Sequence, residues 1–514
     1  MPVKNDKPYS KEFDSVGLTR IYTSIQVVTQ SNVKGIVEQA LGTFFANRER
    51  IKYLWYYYKG NQPILYREKT IRDDVKNCIV ENHAYEFVKF KVGQTYGEPL
   101  QVVARTDDEK ISAAVDKFSD YLKDAHKHAR DIKAGEWQSA TGIAFKAAQF
   151  APEGAKIPFR ITCPSPLCTF VVYNDDTEEP ILAVQERYDE KMNLYYQCYS
   201  ETNECKIKDD KVTDWKLHAY GGIPIVEIPN DSECISDIAL VADLLDATNN
   251  MQSNRMDSVE QFVQSWIKFV NCEVDEETFQ KMKMDGALVV KSINKDNKSD
   301  VDIMTQELNQ TESQVAKEDL LENALTILAI PNKQSNTGGD TQGAVELRNG
   351  WDFSKSRARM KDALVVEAEQ RLNKVLLNII RIRKGADDCP ISIYDFDINV
   401  QHSPLDNLII KCQALEYLLK SGIHPLVAMK TCGLWGDVEK VFIQSKPYLD
   451  RLYRKVDASG VDVEYETKKA TLFVQLLNAG ADPAEAAEKA GLSIDTTGSN
   501  FQKWNYDDEK AQDE

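Results

Sequence analysis

Apolar residues recur at helical spacing in two stretches that flank a polar gap. Over residues 311–330 they lie three or four positions apart and form one stripe, which Pro331 ends. The same spacing runs over residues 351–383, enough for a helix of roughly 50 Å. Between them, residues 333–342 contain no large apolar side chain and include Gly338 next to Gly339. The pattern predicts two helices joined by a solvated loop.

A third helical pattern covers residues 232–270 and has a polar middle at 249–254. Because a helix buried in one core does not tolerate a segment that is polar all round, we expect it to pack against sister helices around a wet space. Residues 271–308 follow with strand patterns at 287–293 and 301–305, which predicts a small lobe at the tip of a helical stalk. The positions expected to pack within the stalk are Ile238, Val241, Leu245, Val259, Val263, Trp266, Leu321 and Leu325.

Helical patterns precede strand patterns in the first 230 residues. The predicted helices span residues 33–59, 83–97, 107–128 and 129–150. Short runs rich in Val, Ile, Tyr and Phe then alternate with charged turns and predict an antiparallel sheet, at residues 158–173, 180–188, 194–199 and 212–220. Residues 221–229 are expected to form an extended connector. We expect residues 1–32 to be a polar arm that orders only against a partner.

After the long helix, residues 391–400 alternate like a strand and the remainder is helical. Residues 418–434 and 476–492 share the frame LLxxGxxPxxAxxxxGL, in which each Gly ends a helix and Pro opens one. Such a frame suits either a DNA-reading helix-turn-helix or a structural helical hairpin. The acidic side chains of Asp482 and Glu485 favour the hairpin, because they repel phosphate.

The helix and strand patterns place the chain in the α+β class, predominantly α, and its composition provides enough apolar residues to build a large core. Its net charge of -18 is the wrong sign for tight DNA binding. The 10 cysteines lack the paired spacing of a zinc site, so we expect free thiols in a reducing compartment and no metal. The sequence shows neither a signal peptide nor a run of 18 apolar residues, which predicts a soluble chain.

No catalytic motif stands out. A phosphate-binding loop, a zinc-protease helix, a nucleophile elbow and a dinucleotide fingerprint are all missing from the sequence. The aromatic run YLWYYY at residues 53–58 could stack on nucleic acid, but such runs more often fill a core or a subunit contact. The sequence therefore predicts a protein that is not an enzyme and needs no cofactor.

A succession of short motifs adds a family resemblance. In chain order they are YYYKG at 56–60, Asn82 before a helix, YGEPL at 96–100, GGIPIV at 221–226, DLLDATNNMQSNRMDSVEQF at 243–262 and GAVEL at 343–347. Their order, together with the helix, tip, helix, loop, long helix plan, resembles the portal proteins of tailed bacteriophages, notably those of siphophages infecting Gram-positive bacteria. The resemblance covers about residues 45–450.

The resemblance implies a division of the chain into the parts of a portal subunit. It assigns 1–44 to an N-terminal arm, 45–230 with 385–402 to the wing, 231–270 to a stem helix, 271–308 to an α/β clip, 309–330 to the second stem helix, 331–343 to the tunnel loop, 344–384 to a long bent wing helix, 403–496 to a helical crown and 497–514 to a disordered acidic tail. The loop residues facing the channel are then Lys333, Gln334, Ser335, Asn336, Thr337, Gly338, Gly339, Asp340, Thr341 and Gln342.

The same resemblance implies a ring, usually a dodecamer, at one capsid vertex of the virion, assembled in the host cytoplasm. Double-stranded DNA would pass through the ring, and its contacts with the protein would be weak and independent of sequence. Further partners are the large terminase subunit, a head-tail adaptor, and the major capsid and scaffolding proteins; no membrane is involved. Two alternatives stay open: another helical head-assembly or scaffold protein without a channel, and a DNA-modifying enzyme.

Overall fold

The computed structural model describes residues 17–69, 75–106, 108–263, 266–270, 272–273, 291–292, 300–304, 310–332, 350–401, 408–435, 438 and 441–446. The chain divides into two compact units between Leu405 and Asp406. Among the described residues more lie in helices than in strands, in agreement with the predicted α+β class.

The described part of the first unit contains seven α-helices. They are α1 (Val33–Tyr58), α2 (His83–Tyr96), α3 (Glu109–Asp124), α4 (Lys127–Thr141), α5 (Ala242–Val263), α6 (Gln310–Ile327) and α7 (Trp351–Lys384), with a 3-10 turn at Pro63–Tyr66. The second unit contains α8 (Leu408–Lys420) and α9 (Pro425–Cys432).

The strands of the first unit are β1 (Ile21–Thr23), β2 (Gln101–Ala104), β3 (Ile143–Phe150), β4 (Phe159–Thr162), β5 (Thr169–Asn174), β6 (Pro180–Tyr188), β7 (Leu194–Tyr199), β8 (Asn203–Lys208), β9 (Lys211–Leu217), β10 (Ile225–Pro229), β11 (Trp266–Val270), β12 (Cys272–Glu273), β13 (Lys291–Ser292), β14 (Asp300–Met304) and β15 (Phe396–Asn399). They form a six-stranded sheet in the order β1-β5-β6-β7-β8-β9, a three-stranded sheet β10-β3-β4, and the pairs β11–β14, β12–β13 and β15–β2.

Two apolar cores hold this unit together. The larger one gathers the second half of α1, helices α2 to α4, the three-stranded sheet and α7. The smaller one packs the first half of α1 on the six-stranded sheet, with Phe44 against Phe170 at a ring distance of 4.6 Å. The YLWYYY run serves the larger core: Tyr57 is buried, and Trp55 stacks on Trp137 at 3.5 Å. The core interpretation of that run is confirmed.

Several predicted elements are confirmed. Helix α1 ends beside Gly60, whose φ of 87° is the left-handed value of a helix end. The long helix at 351–383 is α7, and the stripe at 311–330 is α6. The first copy of the repeated frame is a helical hairpin: α8 ends before Gly422, Pro425 begins α9, and Gly433 follows it with positive φ. The second copy lies outside the described residues.

The helix predicted at 129–150 is wrong in its second half. Helix α4 ends at Thr141, Gly142 adopts a φ of 94°, and β3 follows at once. A side chain at Gly142 would meet the carbonyl oxygen of Cys234 at 2.1 Å, so only glycine fits this turn. Strand β3 (IAFKAAQF) is buried on both faces over most of its length and therefore lacks the apolar-polar alternation of a half-buried strand, so periodicity did not distinguish it from a helix.

The predicted arm and the predicted connector both belong to sheets. Within the arm assigned to residues 1–44, β1 pairs in parallel with β5, and α1 already begins at Val33. Asn47 exchanges two hydrogen bonds with the backbone of Thr19, at 2.7 and 3.1 Å, which fixes the segment before β1. Residues 225–229, expected to be a connector, form β10 and pair with β3. Local composition alone therefore did not reveal β1 or β10.

The helix predicted at 232–270 is shorter at both ends. Helix α5 begins at Ala242 and ends at Val263, and residues 266–270 form β11, paired antiparallel with β14. The β11 sequence WIKFV is rich in aromatic and β-branched residues, which favour a strand once a partner such as β14 is present. Trp266 therefore belongs to a strand and not to the stem helix.

Candidate functional site

Helices α5 and α6 lie antiparallel as a pair. Arg255 Nη1 of α5 donates to Gln314 Oε1 of α6 at 2.6 Å, and Lys317 Nζ donates to Gln252 Oε1 at 3.0 Å. Along this contact the residue numbers increase on α5 and decrease on α6, so the two helices run in opposite directions. This is the arrangement that the stalk prediction requires, with residues 264–309 joining the two helices at one end.

One face of α5 binds the backbone of residues 75–82, which we call the strap. Asn249 Oδ1 accepts the N–H of Glu81 at 2.8 Å, Ser253 Oγ accepts that of Ile79 at 3.0 Å, and Asp257 Oδ1 accepts that of Asn77 at 2.7 Å. Four residues of helix advance about 6 Å, and two residues of extended chain advance about 6.6 Å. The side chains on α5 therefore match every second N–H of the strap.

We call this series of three hydrogen bonds the ladder. The residues at its two ends, Asn249 and Asp257, also bind other side chains. Asn249 Nδ2 donates to Gln62 Oε1 at 2.5 Å. At the other end, Asp257 accepts from Lys69 Nζ at 2.5 Å, with Arg67 Nη1 at 3.3 Å. Burial opposes ionisation of Asp257, but its hydrogen bonds to Lys69 and Asn77 outweigh burial and hold its pKa below the ordinary value.

The predicted wet space is wrong for this face of α5. Asn249 and Ser253 are fully buried, and the strap satisfies their polar atoms. Only Asn250 and Asn254 of the polar segment are exposed. The helix tolerates its polar middle because each buried group has a partner within the same chain.

The end of α6, at the base of the predicted loop, is held by hydrogen bonds from two sides. Ala329 has a φ of 53°, and Ile330 N donates to Leu325 O at 2.8 Å, which is a Schellman cap built without glycine. Lys91 of α2 donates to the carbonyl oxygen of Leu328, and Arg357 of α7 donates to that of Ile327 at 2.6 Å. These cations also complement the negative end of the helix dipole.

A cavity of about 420 Å³ lies beside this cap, lined in part by Lys91, Asp237, Arg357 and Lys361. Burial lowers the pKa of Lys91, and it lowers the pKa of Lys361 to about 8, although Asp237 opposes both shifts. The base of the loop is therefore surrounded by cations whose charge is costly to bury.

Helix α7 is bound to α4 and β3 by four buried charges. Lys127 Nζ lies 2.8 Å from Asp131 Oδ2 and 2.9 Å from Glu369 Oε2, and Lys146 Nζ contacts both Asp131 Oδ1 and Glu369 Oε1. Each lysine thus bridges both carboxylates. The four residues come from α4, β3 and α7 and are almost completely shielded from solvent.

Lys146 and Glu369 stay ionised because they are paired. Burial alone would lower the pKa of Lys146, but Asp131 and Glu369 hold it above its ordinary value. Burial would likewise raise the pKa of Glu369, but Lys127 and Lys146 lower it to about 2. The paired charges fix where α7 crosses the three-stranded sheet.

Five of the eight predicted stem-packing residues belong to the larger core or pack against it. Ile238, Val241 and Leu245 are buried in the larger core, and Leu321 and Leu325 are half-buried against it. Val259 is 36% exposed. The side chains of Val263 and Trp266 lie outside the described part of the structure. Ile238 and Val241 also precede α5, so they anchor its entry instead of packing along the stalk.

The predicted loop residues 333–342 lie outside the described residues. Sequence reasoning missed the groups that hold the loop's two ends, namely Lys91, Arg357 and the four buried charges. A buried lysine or glutamate is rare, but the sequence alone does not show which charged residue is buried. For the ladder, the spacing of Asn249, Ser253 and Asp257 was a usable signal, since polar residues four apart share one helix face.

Within the described residues, no group of three or more His, Cys, Asp and Glu side chains could hold a metal ion. Among the same residues, no helix is both long and apolar enough to cross a membrane. Burial raises the pKa of the Cys163 thiol and that of the Cys168 thiol.

The sequence matches a family model described as "Phage portal protein, SPP1 Gp6-like" over residues 41–425. No curated protein matches the chain. One similar solved structure is described as "Neck of empty GTA particle computed with C6 symmetry", with 11% identity, a TM-score of 0.41 and coverage of 68% of this chain and 90% of that chain. Because the family model spans about three quarters of the sequence, the chain belongs to the SPP1 Gp6-like phage portal proteins, which are structural components of a phage particle and not enzymes.

Proposed function

We propose that copies of this chain form a closed ring, a dodecamer, at one vertex of a phage capsid, and that double-stranded DNA is packaged and ejected through its centre. Membership of the portal family supports a ring in general. The number of copies and the passage of DNA are parts of the proposal.

One observation carries the proposed channel: the two helices that flank the polar loop, α6 and α7, are both anchored. The chain enters the loop from the capped end of α6, which Lys91 and Arg357 hold. It leaves the loop into α7, which the four buried charges fix to the wing. Residues 333–342 themselves offer no apolar group to a core. Such a segment on rigid supports suits a loop that contacts DNA and moves as the DNA advances.

The net charge fits a conduit. A duplex that slides must not adhere to the wall, and a ring built from chains of charge -18 repels phosphate towards the axis. The loop's Gln, Ser, Asn and Thr residues can exchange water-mediated contacts with any sequence, and Lys333 provides a single weak phosphate contact per subunit.

The remaining parts take the roles implied by the family. Residues 271–308 form the clip, which faces the packaging motor, whose ATPase is the large terminase subunit, and later the head-tail adaptor. The wing contacts capsid and scaffolding proteins, and the unit after Leu405 forms the crown. The ring is part of the virion and assembles in the host cytoplasm.

Microscopy of the purified full-length chain tests the proposal. Negative-stain images should show closed rings with a central hole, and mass photometry should give one assembly at a whole multiple of 58.3 kDa. Monomers or open filaments under conditions that favour assembly would rule out the ring. A particle without a channel would favour the alternative of a scaffold protein.

A further inference from the structure

The exposed face of α6 is acidic and carries an apolar residue at its centre. Val315 is 52% exposed, and Asp319 and Glu322, four and seven positions later on the same side of the helix, are exposed as well. Lys317, the one basic residue of α6, points the other way, because it contacts Glu81 and Gln252. On the neighbouring α5, Met256 is also 43% exposed.

The start of α7 carries a face of opposite charge. Phe353 is 58% and Met360 is 74% exposed, which are large apolar surfaces for a helix that otherwise packs well. Ser356, Arg359 and Ala363 fill the rest of the same exposed arc. Within residues 355–361, Arg359 supplies the exposed positive charge of this face, because Arg357 donates to Ile327 O and Lys361 lines the cavity beside the α6 cap.

We infer that the α6 face of one subunit docks on the α7 face of the next copy of this chain, with Asp319 and Glu322 opposite Arg359, and Val315 against Met360. The inference rests on the proposed ring. A ring closes through a heterologous contact, in which two different and complementary patches of each subunit meet. These two faces differ, each combines an apolar centre with charge, and their charges are opposite.

The two faces also lie at the base of the predicted loop. The end of α6 is bonded to Arg357, on the same helix as the basic face. A contact between α6 and a neighbouring subunit would therefore affect the helix ends next to the predicted loop in both subunits. A single exposed ion pair is weak, but a closed ring repeats the contact at every interface.

Charge reversal tests the contact on the full-length chain. Arg359→Glu and Asp319→Lys should each raise the protein concentration needed for half-maximal ring formation by about tenfold or more, measured by mass photometry. Lys211→Glu reverses an exposed charge on β9, away from both faces, and should leave that concentration unchanged.

Mixing the two variants gives the sharper result. In an equimolar mixture, the acidic α6 face of Arg359→Glu meets the basic α7 face of Asp319→Lys, and the two reversed faces also complement each other. Rings should return, and native mass spectrometry should find equal numbers of the two variants in each ring. Rings that form equally well from either single variant overturn the inference, and so does a mixture of two folded variants that stays unassembled.

Two controls keep the outcomes separate. If a reversal lowers the melting temperature by itself, Arg359→Gln and Asp319→Asn replace it, and unchanged ring formation by both then contradicts the contact. Failure of the wild-type chain to form rings removes the proposed function, whereas wild-type rings that ignore these charges remove only this inference.

Discussion

The side chain of Asn249 accepts a hydrogen bond of 2.8 Å from the backbone N–H of Glu81. Helix α5 thus supplies the acceptor that a neighbouring strand would supply to the strap in a sheet. Together with the bonds from Ser253 and Asp257, the Asn249 bond fixes the register of residues 77–81 on the helix. A shift of the strap by one residue would point the N–H groups away from all three acceptors.

Asn249→Ala should therefore lower the free energy of unfolding by about 1–3 kcal/mol, because it removes the buried acceptor of the Glu81 N–H and the donor to the buried Gln62 side chain. The measurement is urea denaturation. Asn250→Ala, at the exposed neighbouring position, is the matched control and should change stability by less than about 0.5 kcal/mol. Equal effects at both positions would show that the ladder does not stabilise the fold.

Glu369→Gln should cost about 3–5 kcal/mol, because it removes one charge from a buried set of four and leaves Lys127 and Lys146 with one carboxylate. The exposed Glu367, which pairs with Arg371 at 2.7 Å, offers a control on the same helix. Glu367→Gln should cost less than about 1 kcal/mol in the same denaturation experiment. A small effect of Glu369→Gln would mean that water reaches the cluster.

Glu227 on β10 makes stability depend on pH. Burial raises its pKa to about 7, despite the opposing effects of Arg20, Tyr173 and Arg371. Between its ordinary pKa near 4.5 and this value, the folded chain holds a proton that the unfolded chain has lost. Stability should therefore fall as pH rises through this window, by about 3 kcal/mol at most, and stay level above it.

Glu227→Gln cannot ionise and should lack this fall. Urea denaturation at pH 4.5, 6 and 7.5 gives the free energy of unfolding of the wild-type chain and the variant, and so its slope with pH in each. The two chains differ in no other ionisable group. Parallel slopes would show that Glu227 ionises at its ordinary pKa in the folded chain.

Arg357→Gln should loosen the end of α6, since Ile327 O loses a charged donor at 2.6 Å. Hydrogen exchange at residues 325–332 should accelerate by about tenfold, which corresponds to roughly 1.4 kcal/mol of local stability. Lys374→Gln, which weakens an exposed pair with Glu201 elsewhere on α7, is the control and should leave exchange there unchanged. Unaltered exchange in Arg357→Gln would leave Lys91 as the group that holds the cap.

Deletion of residues 334–341 should spare ring assembly but reduce DNA packaging or retention in the head. The deleted residues contribute no large apolar side chain, so the fold loses no core contact. Ring formation is measured by mass photometry and packaged DNA by nuclease protection. DNA-filled heads at the normal level from the deletion variant would refute the proposed role of the loop.

The length and position of the main helices were predictable because amphipathic spacing is a local property. Apolar residues three and four apart located α1, α6 and α7 to within a few residues. The β3 strand and β10 were missed for the opposite reason, since a strand depends on a partner distant in sequence: residues 143–150 pair with 225–229 and 159–162. A local pattern carries no information about that partner.

The sequence by itself indicated a portal-family chain of helices and sheets and predicted a polar loop between two helices, because periodicity, composition and short motifs are local properties of the chain. Only the tertiary structure decided which polar groups are buried together. Lys146 and Glu369 are 223 positions apart, and Asn249 and Glu81 are 168 apart. Their pairing depends on how helices and strands pack, and burial is what turns these ordinary polar residues into the contacts that hold α5 and α7 in place.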